Sequence, residues 1–346
     1  MSKAAELAAL IGSQSALSNR NILINGAMQV AQRSTSETGL GSASGYHTVD
    51  RWHTTAVNTA GRFTQEQSTD APSGFAFSTK LSCTTADTSI AAGELVKFRQ
   101  KIEAQNLIRF AKGTSDAKKY ALSFYVKGNA NATYVAELYD ADNARQISKT
   151  FNVTTSWNRV ELYFPADTLG ALNNDNGIGI IMQIYLHAGS TYTSGTLNSS
   201  AWAASTDANR AVGISSFFDS TSRTFFITGV QLEVGEQATP FEHRSFGDEL
   251  RRCQRYYQTS SETTGNLLFF SGHVDSGATY FAKEKLTVPM RAAPTVTVGS
   301  ELGKDGFAGA PSISWQTTQS IRSSNTANAN SNQGYYFFQY TASAEL

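Results

Sequence analysis

From Asn19 onward the chain alternates. Between residues 95 and 103, Val96, Phe98, Gln100 and Ile102 fall on one side of an extended backbone, with Lys97, Arg99, Lys101 and Glu103 on the other. This period of two is the pattern of a strand with one apolar face. It returns at Leu122, Phe124 and Val126, at Val160, Leu162 and Phe164, and at Ile178, Ile180, Met182, Ile184 and Leu186. A last series runs through Phe226, Thr228, Val230, Leu232 and Val234, with Gln231 and Glu233 facing outward. Asn21-Ile22-Leu23-Ile24-Asn25-Gly26 reads as a strand entering a turn. Turn-forming residues separate the runs, as at Asp140-Ala141-Asp142-Asn143. One-sided strands with no long helical pattern between them predict two antiparallel sheets packed face to face and exclude a parallel βαβ architecture.

Two helical patterns flank these runs. Leu7, Leu10 and Ile11 stand at helical spacing in residues 4–11 and predict a short helix and linker over residues 1–18, a segment suited to attachment or assembly. Asp248-Glu249-Leu250-Arg251-Arg252-Cys253-Gln254-Arg255-Tyr256-Tyr257 places acids before bases, as a helix dipole prefers, and aligns Leu250, Cys253 and Tyr257 on one stripe. Strands resume at 267–274, 278–286 and 295–298, and the Ser/Asn/Gly-rich stretch 320–334 reads as a surface loop. Tyr335-Tyr336-Phe337-Phe338-Gln339-Tyr340 carries aromatics on both faces, so the strand needs cover on both sides. Leu250, Cys253 and Tyr257, together with Tyr336, Phe338 and Tyr340, are therefore candidates for an oligomer interface. The expected organisation is an N-terminal helix and linker (1–18), a β-sandwich (19–245), a linker helix (246–258) and a smaller C-terminal β-domain (259–346).

Charge and cysteine content narrow the function classes. The 28 Lys+Arg residues balance 28 Asp+Glu, which leaves no overall field to attract nucleic acid or an anionic membrane. Charged residues are only 16% of the 346-residue chain, and Ser, Thr, Asn, Gln and Gly dominate its polar remainder, a mixture that suits β-surfaces and long loops. The two cysteines, Cys83 and Cys253, are too few and too far apart for a disulfide framework or a zinc site. The opening Met1-Ser2-Lys3-Ala4-Ala5-Glu6-Leu7 lacks the apolar core of a secretory signal, and no stretch approaches the roughly 18 apolar residues of a membrane span. The expectation is a protein made in cytosol and released by something other than secretion.

Candidate chemistry is sparse. His47-Thr48-Val49-Asp50-Arg51-Trp52-His53 is the nearest thing to a metal cluster, but a strand there would put His47 and His53 on one face and Asp50 on the other. It reads instead as a strand whose Trp52 enters the core. Glu137, Asp140 and Asp142 have the spacing of turn residues as much as of a glycosidase pair. No nucleophile elbow, phosphate-cradling loop or zinc-binding helix motif is present, so no catalytic residue, metal ligand or cofactor is expected. Aromatic content is what remains: Trp52, Trp157, Trp202 and Trp315, with 14 Tyr and 20 Phe. Sugars bind in water by stacking apolar C–H faces on such rings while amides and carboxylates read the hydroxyls. Tyr192 and Trp202 stand in a polar insertion, 188–210, directly after the Tyr185 and His187 face of the preceding strand. These four residues are the carbohydrate-binding candidates, with Trp202 either a ligand platform or a plug folded back onto the sandwich.

Several phrases of the chain also resemble known proteins. Residues 19–33, Asn19-Arg20-Asn21-Ile22-Leu23-Ile24-Asn25-Gly26-Ala27-Met28-Gln29-Val30-Ala31-Gln32-Arg33, followed by Tyr46-His47-Thr48-Val49-Asp50-Arg51-Trp52, are similar to tail-fibre and minor structural proteins of tailed bacteriophages and prophages. So are Leu122-Ser123-Phe124-Tyr125-Val126-Lys127-Gly128, Ile227-Thr228-Gly229-Val230-Gln231-Leu232-Glu233-Val234-Gly235 running into Thr239-Pro240-Phe241-Glu242, and Cys253-Gln254-Arg255-Tyr256-Tyr257. The sandwich portion, with its Val126-Lys127-Gly128 strand end and the later Trp157, resembles jelly-roll carbohydrate-binding modules. Val288-Pro289-Met290-Arg291-Ala292-Ala293-Pro294-Thr295-Val296 looks like the C-terminal domains of such fibres. The resemblance implies an all-β chain, an antiparallel jelly-roll sandwich followed by a short helix and a smaller β-domain. It further implies a virion exterior location, a homotrimer, contacts to other virion proteins through the N-terminal segment, and recognition of host surface polysaccharide. Catalysis, nucleic-acid binding and membrane insertion are not expected. A purely architectural subunit, such as a connector, head fibre or decoration protein, is the alternative, and a polysaccharide depolymerase the third reading.

Overall fold

The computed structural model describes residues 19–260 and 267–346, so the helix expected over residues 4–11 lies outside the described residues. The chain divides into two compact units, with the boundary between Phe246 and Gly247. In the first unit the strands are β1 (Ser36–Leu40), β2 (Gly45–Tyr46), β3 (His53–Val57), β4 (Arg62–Ser68), β5 (Ser78–Thr85), β6 (Leu95–Glu103), β7 (Tyr120–Gly128), β8 (Ala132–Asp140), β9 (Arg145–Val153), β10 (Asn158–Phe164), β11 (Ile178–Ala188), β12 (Ala203–Ala204) and β13 (Thr224–Val234). They form a six-stranded sheet, β1-β4-β5-β13-β7-β10, and a seven-stranded sheet, β12-β9-β8-β11-β6-β3-β2, with every pairing antiparallel. This is the jelly-roll sandwich. No helix among the described residues is long and apolar enough to cross a membrane.

Alternation builds the core as expected. Leu122, Phe124 and Val126 of β7 and Val160 and Leu162 of β10 meet Val96, Phe98 and Ile102 of β6 and Ile180, Met182, Ile184 and Leu186 of β11 in one apolar cluster. Trp52 stacks on Phe98 at 4.9 Å and 4°, an offset ring pair worth about 1 kcal/mol beyond its buried area. Gln100 belongs to the inward face of β6, and its amide both accepts from the Ile24 N–H and donates to the Ile24 carbonyl, each at 2.7 Å. A buried amide satisfied at both ends costs little, whereas an unpaired one is expensive.

Three departures from simple alternation are local. Residues 21–26 are a chain of bends instead of a strand, because asparagine side chains take the place of a ladder. Asn21 Oδ1 accepts from the N–H groups of Leu23 and Leu232, and Asn25 binds Val30 at both its N–H and its carbonyl. Residues 47–52 form a turn, not a strand, with Arg51 at φ 72°. Trp52 is buried there, as expected, and its indole donates to the Asn25 carbonyl at 3.0 Å. In β13 the inward series is Phe225, Ile227, Val230 and Leu232, because a bulge between Thr228 and Gln231, with Gly229 at φ 62°, shifts the parity and turns Phe226 and Thr228 outward.

The helix Phe246–Gln254 begins at the boundary residue, and the second unit goes on to β14 (Tyr257–Thr259), β15 (Leu268–Val274), β16 (Thr279–Lys285), β17 (Thr295–Asp305), β18 (Ser312–Gln316), β19 (Ser320–Thr326) and β20 (Ser331–Ser343). The long β20 pairs with β14, β15 and β17, and β19 lies between β16 and β18 in a separate three-stranded sheet. The loop expected over 320–334 is thus mostly strand: the Ser/Asn composition hides a ladder in which both edges of β19 are bonded. Tyr336, Phe338 and Tyr340 are 0–2% exposed in this unit's own core, with Leu268, Phe307 and Ile321. Their cover therefore comes from the same chain, which corrects their reading as interface residues. Of the helical candidates, Cys253 is buried and Leu250 half-buried, while Tyr257 has left the helix and opens β14. The outward aromatics of the unit are others: Phe269 stacks on Phe337 at 4.7 Å, and Phe269, Phe281 and Trp315 are each about half exposed.

Candidate glycan-contact surface

The outer side of the seven-stranded sheet receives the sequence candidates, and it is covered. The segment after β11 folds back so that Tyr192, Leu197, Ala211 and Ile214 pack on Leu95, Val135 and Tyr185. Tyr185 and His187 are both 0% exposed. Beneath the segment lies a polar network. Glu137 of β8 accepts from Arg210 at 3.0 and 2.8 Å, from the Tyr185 hydroxyl at 3.3 Å and from Gln183. Lys97 stands 5.1 Å over the Tyr185 ring, and burial pulls its ammonium down to about 7 against the opposing charge of Glu137. Trp202 is the plug, not a platform. It is 7% exposed, its indole donates to the Pro165 carbonyl at 3.0 Å, and its ring meets Tyr120 at 5.9 Å and the Lys112 ammonium at 5.3 Å. Lys112 in turn neutralises Asp140 and Asp167, with Arg145 also on Asp167 at 2.8 Å. Of the four candidates only Tyr192 reaches solvent, and it is half-buried. Glu137 and Asp140 are thus spent on internal ion pairs, while Asp142 holds Asn173 at the surface.

Partly exposed rings gather on the outer side of the six-stranded sheet instead. Strand register sets Phe226 of β13 between Lys127 of β7 and Lys80 of β5, and Glu66 of β4 beside Lys80. Trp157, from the β9–β10 turn, meets Phe226 edge-on at 6.0 Å. The Lys127 ammonium lies 5.3 Å from the Trp157 ring and 4.8 Å from that of Phe226, within cation–π range. It also pairs with Asp70, which accepts the Trp157 indole N–H at 3.0 Å. The hydrogen bond from Lys127, outweighing burial and helped by Trp157, holds the Asp70 carboxyl below its usual range. A half-buried indole is so fixed by one carboxylate that the neighbouring ammonium shares.

Beside it runs a second group of rings: Phe75 packs on Tyr125 at 5.4 Å, on Phe241 at 5.1 Å and on His243 at 5.1 Å. Gly229 makes room for it, since a Cβ there would lie 2.7 Å from Phe75 and 2.9 Å from Tyr125. Chemically this face offers ring faces for apolar C–H groups, with an anion, cations and hydroxyls at their rim. In the sequence Trp157 stands out only as one of the four tryptophans and as part of a resemblance. Its partner Asp70 is 87 residues away, and no spacing rule joins them.

No protein-family model matches the chain, and no curated protein matches it. Similar solved structures include CBM4 (12% identity, 61% of this chain and 98% of that one, TM-score 0.31). Another is TmCBM61 in complex with β-1,4-galactotriose (11% identity, 63% of this chain and 100% of that one, TM-score 0.29). A third comprises the CBM22-1–GH10 modules of Clostridium thermocellum endo-1,4-β-D-xylanase 10B complexed with xylohexaose (10% identity, 63% of this chain and 29% of that one, TM-score 0.32). At such scores the likenesses decide nothing about function, and the fold stands on the strand pairing described above.

Proposed function

We propose that the chain is a non-catalytic subunit of a tailed-bacteriophage virion surface, a fibre or spike that binds host cell-surface glycans for adsorption. The observation that carries this reading is the half-buried Trp157 ring, pinned through its indole to Asp70 and flanked by Lys127 on the outer side of the six-stranded sheet. A fixed ring gives stacking without the entropy of ordering it, and the shared carboxylate and ammonium supply hydroxyl partners. Overall neutrality suits recognition by stacking and hydrogen bonds, and weak single sites gain strength when several copies, as in a trimer, sit on one particle. Burial of Glu137 and Asp140 in ion pairs speaks against their use as a glycosidase couple.

A glycan array with the purified protein tests the proposal. Reproducible binding that Trp157→Ala reduces at least tenfold, with folding unchanged by circular dichroism, supports it. A blank array from folded protein contradicts it and leaves the architectural reading. That second reading has its own support in the second unit, where Phe269, Phe281 and Trp315 are 46%, 53% and 45% exposed, rings as well suited to a protein partner as to a sugar.

A further inference from the structure

His187 stands one residue from the end of β11, and the connection between β5 and β6 brings two carboxylates to it. One ligand atom from each of Asp87, Glu94 and His187 lies within 4.8 Å of the other two. The three residues are 5%, 5% and 0% exposed. Glu94 Oε2 is 3.2 Å from His187 Nε2, and the other ring nitrogen, Nδ1, is 2.8 Å from the Ser216 hydroxyl. Asp87 Oδ2 accepts from the Thr59 hydroxyl and the Ala60 N–H at 2.8 Å and from the Gly61 N–H at 3.3 Å.

Charge does not balance at this cluster. Among the described residues, His187 is the one ion-pair partner of Glu94, and Asp87 has none. Buried acids in proteins are normally met by a base or a metal. Hydrogen bonds from Thr59, Ala60 and Gly61 fix the Asp87 carboxyl group in place. Two buried carboxyl groups thus face one imidazole.

We propose that Asp87, Glu94 and His187 bind one divalent cation. The mixed set of one imidazole nitrogen and two carboxylates favours Zn²⁺ over Ca²⁺, which prefers six to eight oxygens. The outer partners already have the form that such ligands take: Ser216 orients the imidazole, and Thr59, Ala60 and Gly61 orient the Asp87 carboxylate. Zinc bonds of about 2.0–2.2 Å in a tetrahedron place ligand atoms roughly 3.4 Å apart, so small side-chain rotations close the site. Backbone bonds from Gly189 to Glu94 (2.9 Å) and from Thr191 to Ala92 (3.0 Å) tie the same connection to the root of the covering segment, so a cation here braces that segment.

The test is titration of chelator-stripped full-length protein with ZnCl₂ by calorimetry, with MnCl₂ and CaCl₂ in parallel. The expected result is one Zn²⁺ per chain, a higher melting temperature with the metal, and at least tenfold weaker binding in Glu94→Gln. Metal-free Glu94→Gln should melt no lower than the metal-free wild type, because the amide keeps a polar contact to His187 and takes one of the two crowded carboxyl groups out of the cluster. If Glu94 is only a structural partner of His187, the variant melts lower instead and the proposal falls. Should Glu94→Gln prove insoluble, the zinc K-edge spectrum of the loaded wild type decides. A nitrogen/oxygen shell with imidazole scattering supports the site, and a sulfur shell overturns it. Absence of stoichiometric binding by the wild type with all three metals also overturns it.

Discussion

Glu137→Gln probes the covered face of the seven-stranded sheet most sharply, because it keeps the shape of the side chain and removes only its charge. Glu137 is fully buried and receives two bonds from Arg210, at 3.0 and 2.8 Å, besides those of Tyr185 and Gln183. Burial alone would pull the Arg210 guanidinium down, yet the charge and hydrogen bonds of Glu137 raise it well above its usual range. Arginine cannot shed its proton to escape, so the variant leaves the Arg210 cation with Asp207 as its one ion-pair partner among the described residues. Removing one partner of a buried pair costs about 3–5 kcal/mol. For a unit of this size that corresponds to a melting shift of about 6–20 °C. Urea denaturation followed by tryptophan fluorescence measures it, since Trp52, Trp157 and Trp202 all lie in the sandwich unit. Adding Arg210→Met to Glu137→Gln should recover part of the loss. A cost under about 1 kcal/mol, the range of exposed pairs, would refute the burial argument.

Trp202→Ala should destabilise the sandwich by about 3–5 kcal/mol in the same assay, as large-to-small changes in a core do, and not act as a selective binding mutation. Lys97 supplies a pH test. Its folded-state pKa of about 7 lies below the ordinary lysine value of 10.5, so between these limits the unfolded chain holds the extra proton and stability rises with pH. The rise should span about pH 7 to 10.5, amount to a few kcal/mol at most, and flatten in Lys97→Met; an unchanged slope in that variant would count against it. Phe338→Ser should unfold the second unit, whereas Phe269→Ser, on the opposite side of the sheet, should leave it folded by circular dichroism; comparable loss in both would contradict the assignment of faces.

Alternation was a sound guide wherever a strand kept regular register, as at Val96, Phe98 and Ile102 or Leu122, Phe124 and Val126. It failed where one residue changed the parity, at the Gly229 bulge, and where side chains replaced the ladder, at Asn21 and Asn25. Composition misled at β19, whose Ser and Asn side chains look like a loop although its backbone is bonded on both edges. Covering segments were invisible for a different reason. Nothing local in Tyr185 or His187 announces that residues 189–215 fold back over them, and the partners that hold the segment, Glu137 and Arg210, are 73 residues apart.

The phrases that carried the resemblance prove to be pins of the fold. Glu242 accepts the N–H groups of Arg20 and Asn21, at 3.2 and 2.9 Å, and thereby closes one end of the sandwich sequence on the other. Gln231 accepts the Glu242 N–H at 2.8 Å, and Glu233 holds the Thr239 N–H and hydroxyl. Buried groups of this kind must be satisfied, so such phrases report architecture before function. Trp157 and Asp70, by contrast, meet only in three dimensions, as do Asp87, Glu94 and His187.

Fluorine NMR of protein labelled with 5-fluorotryptophan offers the most direct measurement, because Trp52, Trp157, Trp202 and Trp315 give four resolvable probes. Titration with a host-surface glycan selected on the array should shift the Trp157 resonance saturably while those of Trp52 and Trp202 stay fixed. Movement of Trp202 in place of Trp157, or four unmoved resonances at saturating glycan, would contradict a contact surface on the outer side of the six-stranded sheet.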